Sequence, residues 1–525
     1  MTTSCLEMSR ELLVGELIRR AAHRTPNQMA FRYNEKSLTY EQLEKKTLHL
    51  AGWLQASGIG IGDKVGFIFK NELAFVEVFF GIALSGGVGV PLNFRLAAEE
   101  FVYIINDSDM KILIIEEEYA NVIEAIQSKL PRVEKVIVVG DPSTSTFISY
   151  DTIYKTNAPY NSISGKVTDD DDCMIVYTSG TTGRPKGAVL TNKNLVMNAQ
   201  NLVWEFELDF GFKQIIVTPL FHVAAISCLL IGCSVNGTTV IQREFDAVNV
   251  LNTIETDKIN SIFLVPAMWN TILQIPNLAE YNLSSMQKCM TGAAICPAEI
   301  KKKIMHYFSN AGIYDIFGQT EMSPSTTCLH PKDSIRKTTS VGKPIINVEV
   351  RVVDENMNDV PIGEIGEIIY RGPTLMKEYY KKREETEEAF SGGWFHSGDL
   401  VRMDEEGFIY VVDRKKDMVI SGGENIYPAE VEAVLYKHED ILEAAVVGVP
   451  DIDWGESVKA YVVLKKGKSL TKEEVIIHCN KYLASYKKPR MVEFLDELPR
   501  NTSGKVLKRV LREDQNVQSK CPPSL

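Results

Sequence analysis

Apolar positions along this chain alternate between two rhythms. Short runs such as VGFIF at 65–69, ILII at 112–115 and VIVV at 136–139 have the length and β-branching of buried strands. Between them the spacing predicts helices over 12–23, which ends at a Thr25-Pro26 turn, and over 74–84. A third helical run reaches Leu54 and opens with Thr39 and Gln42 at capping-box spacing. Gly58, Gly60 and Gly62 read as a turn. Their spacing, after a helix, does not fit a dinucleotide-binding fingerprint. Strand–helix alternation of this kind predicts an α/β fold with much parallel sheet.

Strands are also expected at 174–177 and 408–412, and then the texture changes. Asp413, Arg414, Lys415, Lys416 and Asp417 form a charged run. Beyond it come a helix over 429–437 that follows Pro428, strands at 444–449 and 460–464, and a helix over 471–483 with a Thr471/Glu474 capping box. The expected organisation is a large α/β domain over 1–412 made of layered sheets and helices, then a small α+β domain over 413–525. There is no internal repeat and no low-complexity tract.

Length and composition narrow the picture. A chain of 525 residues at roughly 150 per domain allows three or so lobes. The net charge is −12 with no evident basic patch, which argues against a nucleic-acid partner. An anionic substrate would have to be met by a few placed cations and backbone N–H groups. Nine cysteines at irregular spacing, none in a C-x-x-C pair, read as core thiols in a reducing compartment. The first twenty residues lack the apolar run of a signal peptide. The stretch 214–242 carries no charged residue and exceeds the roughly 20 residues a bilayer span needs. Pro219, His222, Ser227, Ser234, Asn236 and Gly237 interrupt it, so a strand, a loop and a core helix are expected instead of a transmembrane segment. A cytoplasmic location follows. The acidic run Asp169 to Asp172 reads as a solvated linker, since metal-binding carboxylates usually converge from different elements.

Residues 177–188, YTSGTTGRPKGA, hold the strongest chemical signal. A Ser/Thr/Gly loop leaves a strand and ends in a lysine. Glycines let backbone N–H groups approach an anion, hydroxyls add donors, and Lys186 adds a point charge. It is not a Walker A loop, because Gly187 follows the lysine. From these residues alone a flexible surface loop fits as well as a phosphate loop.

The string resembles the phosphate loop of the adenylate-forming superfamily, which includes acyl-CoA synthetases, luciferases and peptide-synthetase adenylation domains. Five further motifs stand in that family's order and spacing over almost the whole chain. The resemblance implies ATP contacts at Thr178, Ser179, Gly180, Thr181, Thr182, Gly183 and Lys186. It implies an adenine shelf at Thr291, Gly292, Ala293 and Ala294. In DIFGQTE (315–321) it implies that Asp315 accepts from the adenine amino group, Phe317 stacks on the ring and Gly318 contributes to the nucleotide site. Thr320 would donate to the α-phosphate, and Glu321, with Thr178, would ligate Mg²⁺. The family more often has Tyr where Phe317 stands, which removes a hydroxyl and keeps the ring. In GWFHSGD (393–399), Asp399 matches the ribose-binding carboxylate, with Ser397 where Thr is common. Arg414 matches a ribose and phosphate contact, Lys416 the hinge of a mobile small domain, and Gly422-Gly423 the pantetheine tunnel. Lys505, in PRNTSGK, matches the lysine that bridges the substrate carboxylate and the α-phosphate.

The implied activity is that of an AMP-forming acid–thiol ligase. ATP activates a carboxylic acid as acyl-AMP with release of pyrophosphate, and coenzyme A then takes the acyl group. No protein nucleophile is needed, so His306 and Cys296 require no catalytic role. FHSGDL, VVDRKKDMVISGGENIYPAE and ASYKKPR resemble the medium- and long-chain fatty acyl-CoA synthetases, which makes a fatty acid the expected substrate. Phe221 and His222, in a Pro-Leu-Phe-His string, match a family acyl gate, and Trp269 is a candidate pocket residue. An aryl acid fits an apolar pocket as well. Loading of a carrier protein, luciferase-like oxygenation and a catalytically dead binding protein are the competing classes. The sequence leaves the oligomeric state open, a homodimer included.

Overall fold

The computed structural model describes residues 11–142, 146–156, 158, 160–162, 166–178, 185–294, 296–421, 424–452, 454–500 and 506–518. The chain is a mixed α/β protein that divides into two compact units. One comprises Met1–Val350 with Tyr370–Phe395, and the other Arg351–Ile369 with His396–Leu525.

The first unit carries two large sheets. In the nine-stranded sheet the strands Gly312–Gly318, Lys288–Gly292, Ser261–Leu264, Lys213–Ile216, Thr238–Ile241 and Met29–Tyr33 run parallel in that spatial order. Antiparallel strands flank them, Ser325–Leu329 on one side and Lys36–Thr39 on the other. The eight-stranded sheet is parallel through Asp172–Thr178, Val88–Leu92, Lys64–Ile68, Met110–Glu116 and Lys135–Val139. Strand Val88–Leu92 is buried at every position, as expected of a parallel strand covered on both faces. Helices Leu73–Ser85 and Val223–Ser234 are apolar nearly all round, and both are almost wholly buried.

The uncharged stretch 214–242 resolves into strand Lys213–Ile216, helix Val223–Ser234 and strand Thr238–Ile241. Among the described residues no helix is long and apolar enough to cross a membrane. The capping boxes expected at Thr39 and Thr471 are both formed. The acidic run is tied down by lysines: Lys193 meets Asp169 and Asp170 at 3.2 and 2.8 Å, and Lys377 meets Asp172 at 2.8 Å. Cys173, Cys228, Cys233, Cys289, Cys296, Cys328 and Cys479 are free and buried.

The second unit is built on the long hairpin Ile441–Asp451 and Gly455–Leu464. Val419–Ser421 pairs antiparallel with Gly455–Leu464, and Met491–Phe494 pairs parallel with it. Helices Pro428–Leu435 and Lys472–Asn480 supply Val431, Val434, Leu435, Val475 and Cys479 to its core. Strands Phe395–Met403 and Ile409–Arg414 form an antiparallel pair before this sheet.

Candidate active site

Strands Asp172–Thr178 and Lys186–Thr191 form an antiparallel hairpin in which Thr178 is the register partner of Lys186. The two ends of the expected phosphate loop are therefore clamped side by side. Ser179, Gly180, Thr181, Thr182 and Gly183 lie outside the described residues. A capping box follows at once: Thr191 Oγ1 accepts from the Asn194 N–H and Asn194 Oδ1 accepts from the Thr191 N–H. Helix Asn192–Glu205 thus begins where the lysine strand stops.

The Lys186 ammonium lies over the Tyr379 ring, 5.3 Å from its centroid. The Tyr379 hydroxyl donates to Glu321 Oε1 at 2.8 Å. Tyr379 reaches this position because Glu378–Tyr379 adds as an edge strand, with Tyr379 opposite Ala188. The Met376 N–H donates to the Glu321 carbonyl at 2.7 Å, which fixes the turn Thr320–Met322 against the same segment. One tyrosine therefore links the expected phosphate lysine to the expected metal carboxylate.

Strand Lys288–Gly292 pairs with Gly312–Gly318 so that Thr291 stands opposite Asp315 and Gly292 opposite Ile316. A Cβ on Gly292 would lie 2.6 Å from the Ile316 carbonyl oxygen, so only glycine allows this approach. Ala293 continues at φ 64°, a left-handed conformation that strains a residue with a Cβ, and Ala293 and Ala294 are exposed. Small side chains here leave an open backbone shelf. Asp315 is buried and paired with Lys301, Nζ to Oδ2 at 2.6 Å. Lys301 is itself 2% exposed and donates to the Thr338 carbonyl at 2.7 Å. Burial raises the Asp315 carboxyl above its ordinary value, and Lys301 opposes that rise. Phe317 is half-buried beyond it, and Gly318 packs so tightly that a Cβ would fall 2.0 Å from the Pro324 carbonyl oxygen.

In the second unit Asp399 and Arg414 are register partners, with Arg414 Nε 2.6 Å from Asp399 Oδ1. The Ser397 hydroxyl donates to the Ile368 carbonyl at 2.5 Å and accepts from the Asp399 N–H at 2.9 Å. A serine at this position thus keeps the bridging oxygen that a threonine would supply. Glu367 accepts from the Gly398 N–H at 3.0 Å and lies 3.2 Å from His396 and 3.5 Å from Lys415. Lys416 is exposed on the short turn Lys415–Asp417. Its neighbours are anchored: Asp413 accepts from the Ala429 N–H at 2.8 Å, and Asp417 pairs with Arg512 at 2.8 Å. Gly422, Gly423 and Lys505 lie outside the described residues.

The Phe221 and His222 rings lie tilted against each other at 4.1 Å at the head of helix Val223–Ser234, and Phe94 meets Phe221 edge-on at 5.5 Å. Trp269 has a different setting. It is fully buried, meets Phe308 at 5.4 Å and donates its indole N–H to the Met290 carbonyl at 3.1 Å. Its neighbours are the core residues Ile262, Cys289 and Ile313 of three parallel strands.

Tyr379, Lys301 and Glu367 were not singled out from the sequence. Tyr379 lies in a charged, tyrosine-containing string, and Lys301 in a run of three lysines. No spacing rule relates either to a residue on another strand.

Residues 18–380 match the AMP-binding enzyme family, and residues 430–505 match the AMP-binding enzyme C-terminal domain. A feruloyl-CoA synthase from Amycolatopsis sp is 36% identical over 498 residues, covering 94% of this chain and 97% of that protein. The long-chain-fatty-acid–CoA ligase FadD13 of Mycobacterium tuberculosis is 34% identical over 511 residues, covering 96% and 99%. The o-succinylbenzoate CoA synthetase of Bacillus subtilis, solved with its acyl-adenylate intermediate, is 30% identical with a TM-score of 0.85, covering 94% and 97%. The same enzyme solved with ATP and a magnesium ion is 29% identical with a TM-score of 0.84, covering 94% and 98%.

Proposed function

The chain belongs to the AMP-binding enzyme family, and from that premise we propose that it activates a medium- or long-chain fatty acid with ATP and passes it to coenzyme A. The class, an ATP-dependent acid–CoA ligase that works through acyl-AMP, follows from the family and its relatives. The fatty acid is the narrower reading. The observation that carries the reading of the site is the array of Lys186, Tyr379 and Glu321, in which one tyrosine meets both the lysine and the carboxylate.

In this reading the carboxylate oxygen of the acid attacks the α-phosphorus. The bond to the bridging oxygen of the β-phosphate breaks, and pyrophosphate leaves. The acid is already ionised at pH 7, so no general base is required. Both reactants are anions, and the barrier is lowered by positioning and by neutralising charge. Lys186 faces the departing phosphates, Thr320 donates to the α-phosphate, and Lys505 bridges the reacting oxygens. Glu321 fits a hard cation. It is nearly buried, one of its oxygens is held by a neutral phenol, and among the described residues it has no ion-pair partner. Glu321 and Thr178 would hold Mg²⁺, which when bound spreads the phosphate charge. Asp315 and Phe317 hold the adenine, and Asp399 and Arg414 hold the ribose. In the second step the coenzyme A sulfur attacks the acyl carbonyl carbon, the C–O bond to AMP breaks, and the thiol proton goes to solvent. The family resemblance assigns Lys505 to the first step and Gly422-Gly423 to the second, with Lys416 as the hinge.

Support for a lipophilic tail comes from helix Val223–Ser234, which follows Phe221 and His222 and carries no charged side chain. The feruloyl-CoA synthase relative favours a second reading, in which the acid is an arylpropenoate. AMP release with Mg-ATP and coenzyme A, measured across short, medium and long fatty acids, benzoate, coumarate and ferulate, separates them. A kcat/KM optimum among fatty acids is expected. Turnover confined to the aryl acids overturns the fatty-acid assignment, and adenylate without thioester overturns coenzyme A as acceptor.

A further inference from the structure

Behind the strand that carries Asp315 and Phe317 lies a cluster that the ligase reaction does not use. Cys328 is in strand Ser325–Leu329 and His330 follows it, two residues on. At a strand's period of two both side chains leave the same face. Glu205, the last residue of helix Asn192–Glu205, packs onto that face. Glu205 Oε2 lies 2.7 Å from His330 Nε2, and one donor atom from each of Glu205, Cys328 and His330 falls within 4.8 Å of the other two. The second carboxylate oxygen, Oε1, accepts from the Ile346 N–H at 3.1 Å, so the carboxylate is held with Oε2 turned to the cluster. Tyr314 packs edge-on against His330 at 5.9 Å and against Phe206 at 5.2 Å, which walls the group with aromatic rings. His330 remains a third exposed and leaves a route in.

We propose that Glu205, Cys328 and His330 form a binding site for a borderline divalent transition-metal ion of the Zn²⁺ class. A carboxylate–imidazole pair by itself would account for two of these groups. The thiol on the same strand face completes a three-ligand set of oxygen, sulfur and nitrogen, which suits Zn²⁺ with a fourth position open to water. The thiol proton passes to solvent as the metal–sulfur bond forms. Cys328 is the register partner of Ile316, between Asp315 and Phe317, so an ion here stiffens the strand that carries the adenine contacts.

Co²⁺, which takes the same ligands and absorbs light, is the probe. The full-length protein is titrated with it in excess Mg²⁺ and the near-ultraviolet thiolate-to-cobalt band is followed, with Zn²⁺ then displacing the colour. A stoichiometric band is expected in the wild type, in Glu321→Gln and in Cys296→Ser. The band should disappear in Cys328→Ser. Affinity should fall in His330→Gln and Glu205→Gln by more than the roughly 10–100-fold that loss of an outer-shell partner costs. A wild type with no thiolate band overturns the site. So does a band that survives Cys328→Ser, or unchanged affinity in His330→Gln and Glu205→Gln.

Discussion

Replacing Lys301 by methionine probes an ion pair that is buried on both sides. Lys301 and Asp315 are 2% and 6% exposed at the side chain and 2.6 Å apart. Methionine keeps the volume of the aliphatic stem and removes the charge. The Asp315 carboxylate is then left in the interior without a cation, a change that costs about 3–5 kcal/mol. The carboxyl can escape part of this by holding a proton. Its folded-state pKa is already raised by burial, and losing Lys301 raises it further. A raised acid pKa contributes stability that is present below the unfolded value and is lost as pH rises through the folded value. The Lys301→Met penalty is therefore smaller at pH 5 than at pH 8. Asp315→Asn removes the other charge, and the double variant replaces the pair by neutral groups. It should recover about 3 kcal/mol relative to the sum of the single changes. Urea unfolding of the four proteins at pH 5 and pH 8, followed by tryptophan fluorescence, measures this cycle. Function should move with it. With Asp315 as the proposed adenine acceptor, its neutral form would accept a hydrogen bond weaker by about 1 kcal/mol, so KM for ATP should rise about fivefold in Lys301→Met. A penalty below about 1 kcal/mol that is equal at both pH values, with KM unchanged, would refute the reasoning.

Tyr379→Phe keeps the ring beneath Lys186 and removes the hydroxyl that Glu321 accepts from. A hydrogen bond to a charged group is worth about 1.5–3 kcal/mol, so pyrophosphate exchange should slow roughly 10–100-fold and half-saturation by Mg²⁺ should shift. Unchanged Mg²⁺ dependence would remove Tyr379 from the site. Burial, with Glu116 adding to it, pushes the Glu72 carboxyl up to about 7 from an ordinary 4.5, and Glu72 Oε1 has no hydrogen-bond partner. Stability should therefore fall by about 3 kcal/mol as pH rises from below 4.5 to well above 7, and Glu72→Gln should flatten that slope. Parallel pH profiles for the two proteins would contradict it. Lys416→Pro should leave pyrophosphate exchange near the wild-type rate while thioester formation stops, and equal loss of both half-reactions would dismiss the hinge.

Much of the fold was legible because its signals are local. The apolar runs at 65–69, 112–115 and 136–139 became Lys64–Ile68, Met110–Glu116 and Lys135–Val139. Thr39 with Gln42 and Thr471 with Glu474 formed their capping boxes because each needs only residues three apart. The helix expected over 471–483 is shorter, Lys472–Asn480, since a helix end is set by what packs on it as well as by propensity. Serine stands at 397 where threonine is common, and the two hydrogen bonds of its hydroxyl give the reason such a change is tolerated.

By itself the sequence determined the residue types and their order: a hydroxyl-rich loop closed by Lys186, small residues at 292–294, an acid and a ring at 315 and 317, and an acid at 399. Those are properties of neighbours along the chain, where side-chain period and backbone freedom act directly. Only the tertiary structure decided which distant groups meet. Glu321 is held by Tyr379, 58 residues on; Asp315 is neutralised by Lys301 from a neighbouring helix; and Glu205 meets His330 across 125 residues. Such pairings depend on the order and register of strands in a sheet. Strand order comes from packing the whole apolar surface at once, and no local period encodes it.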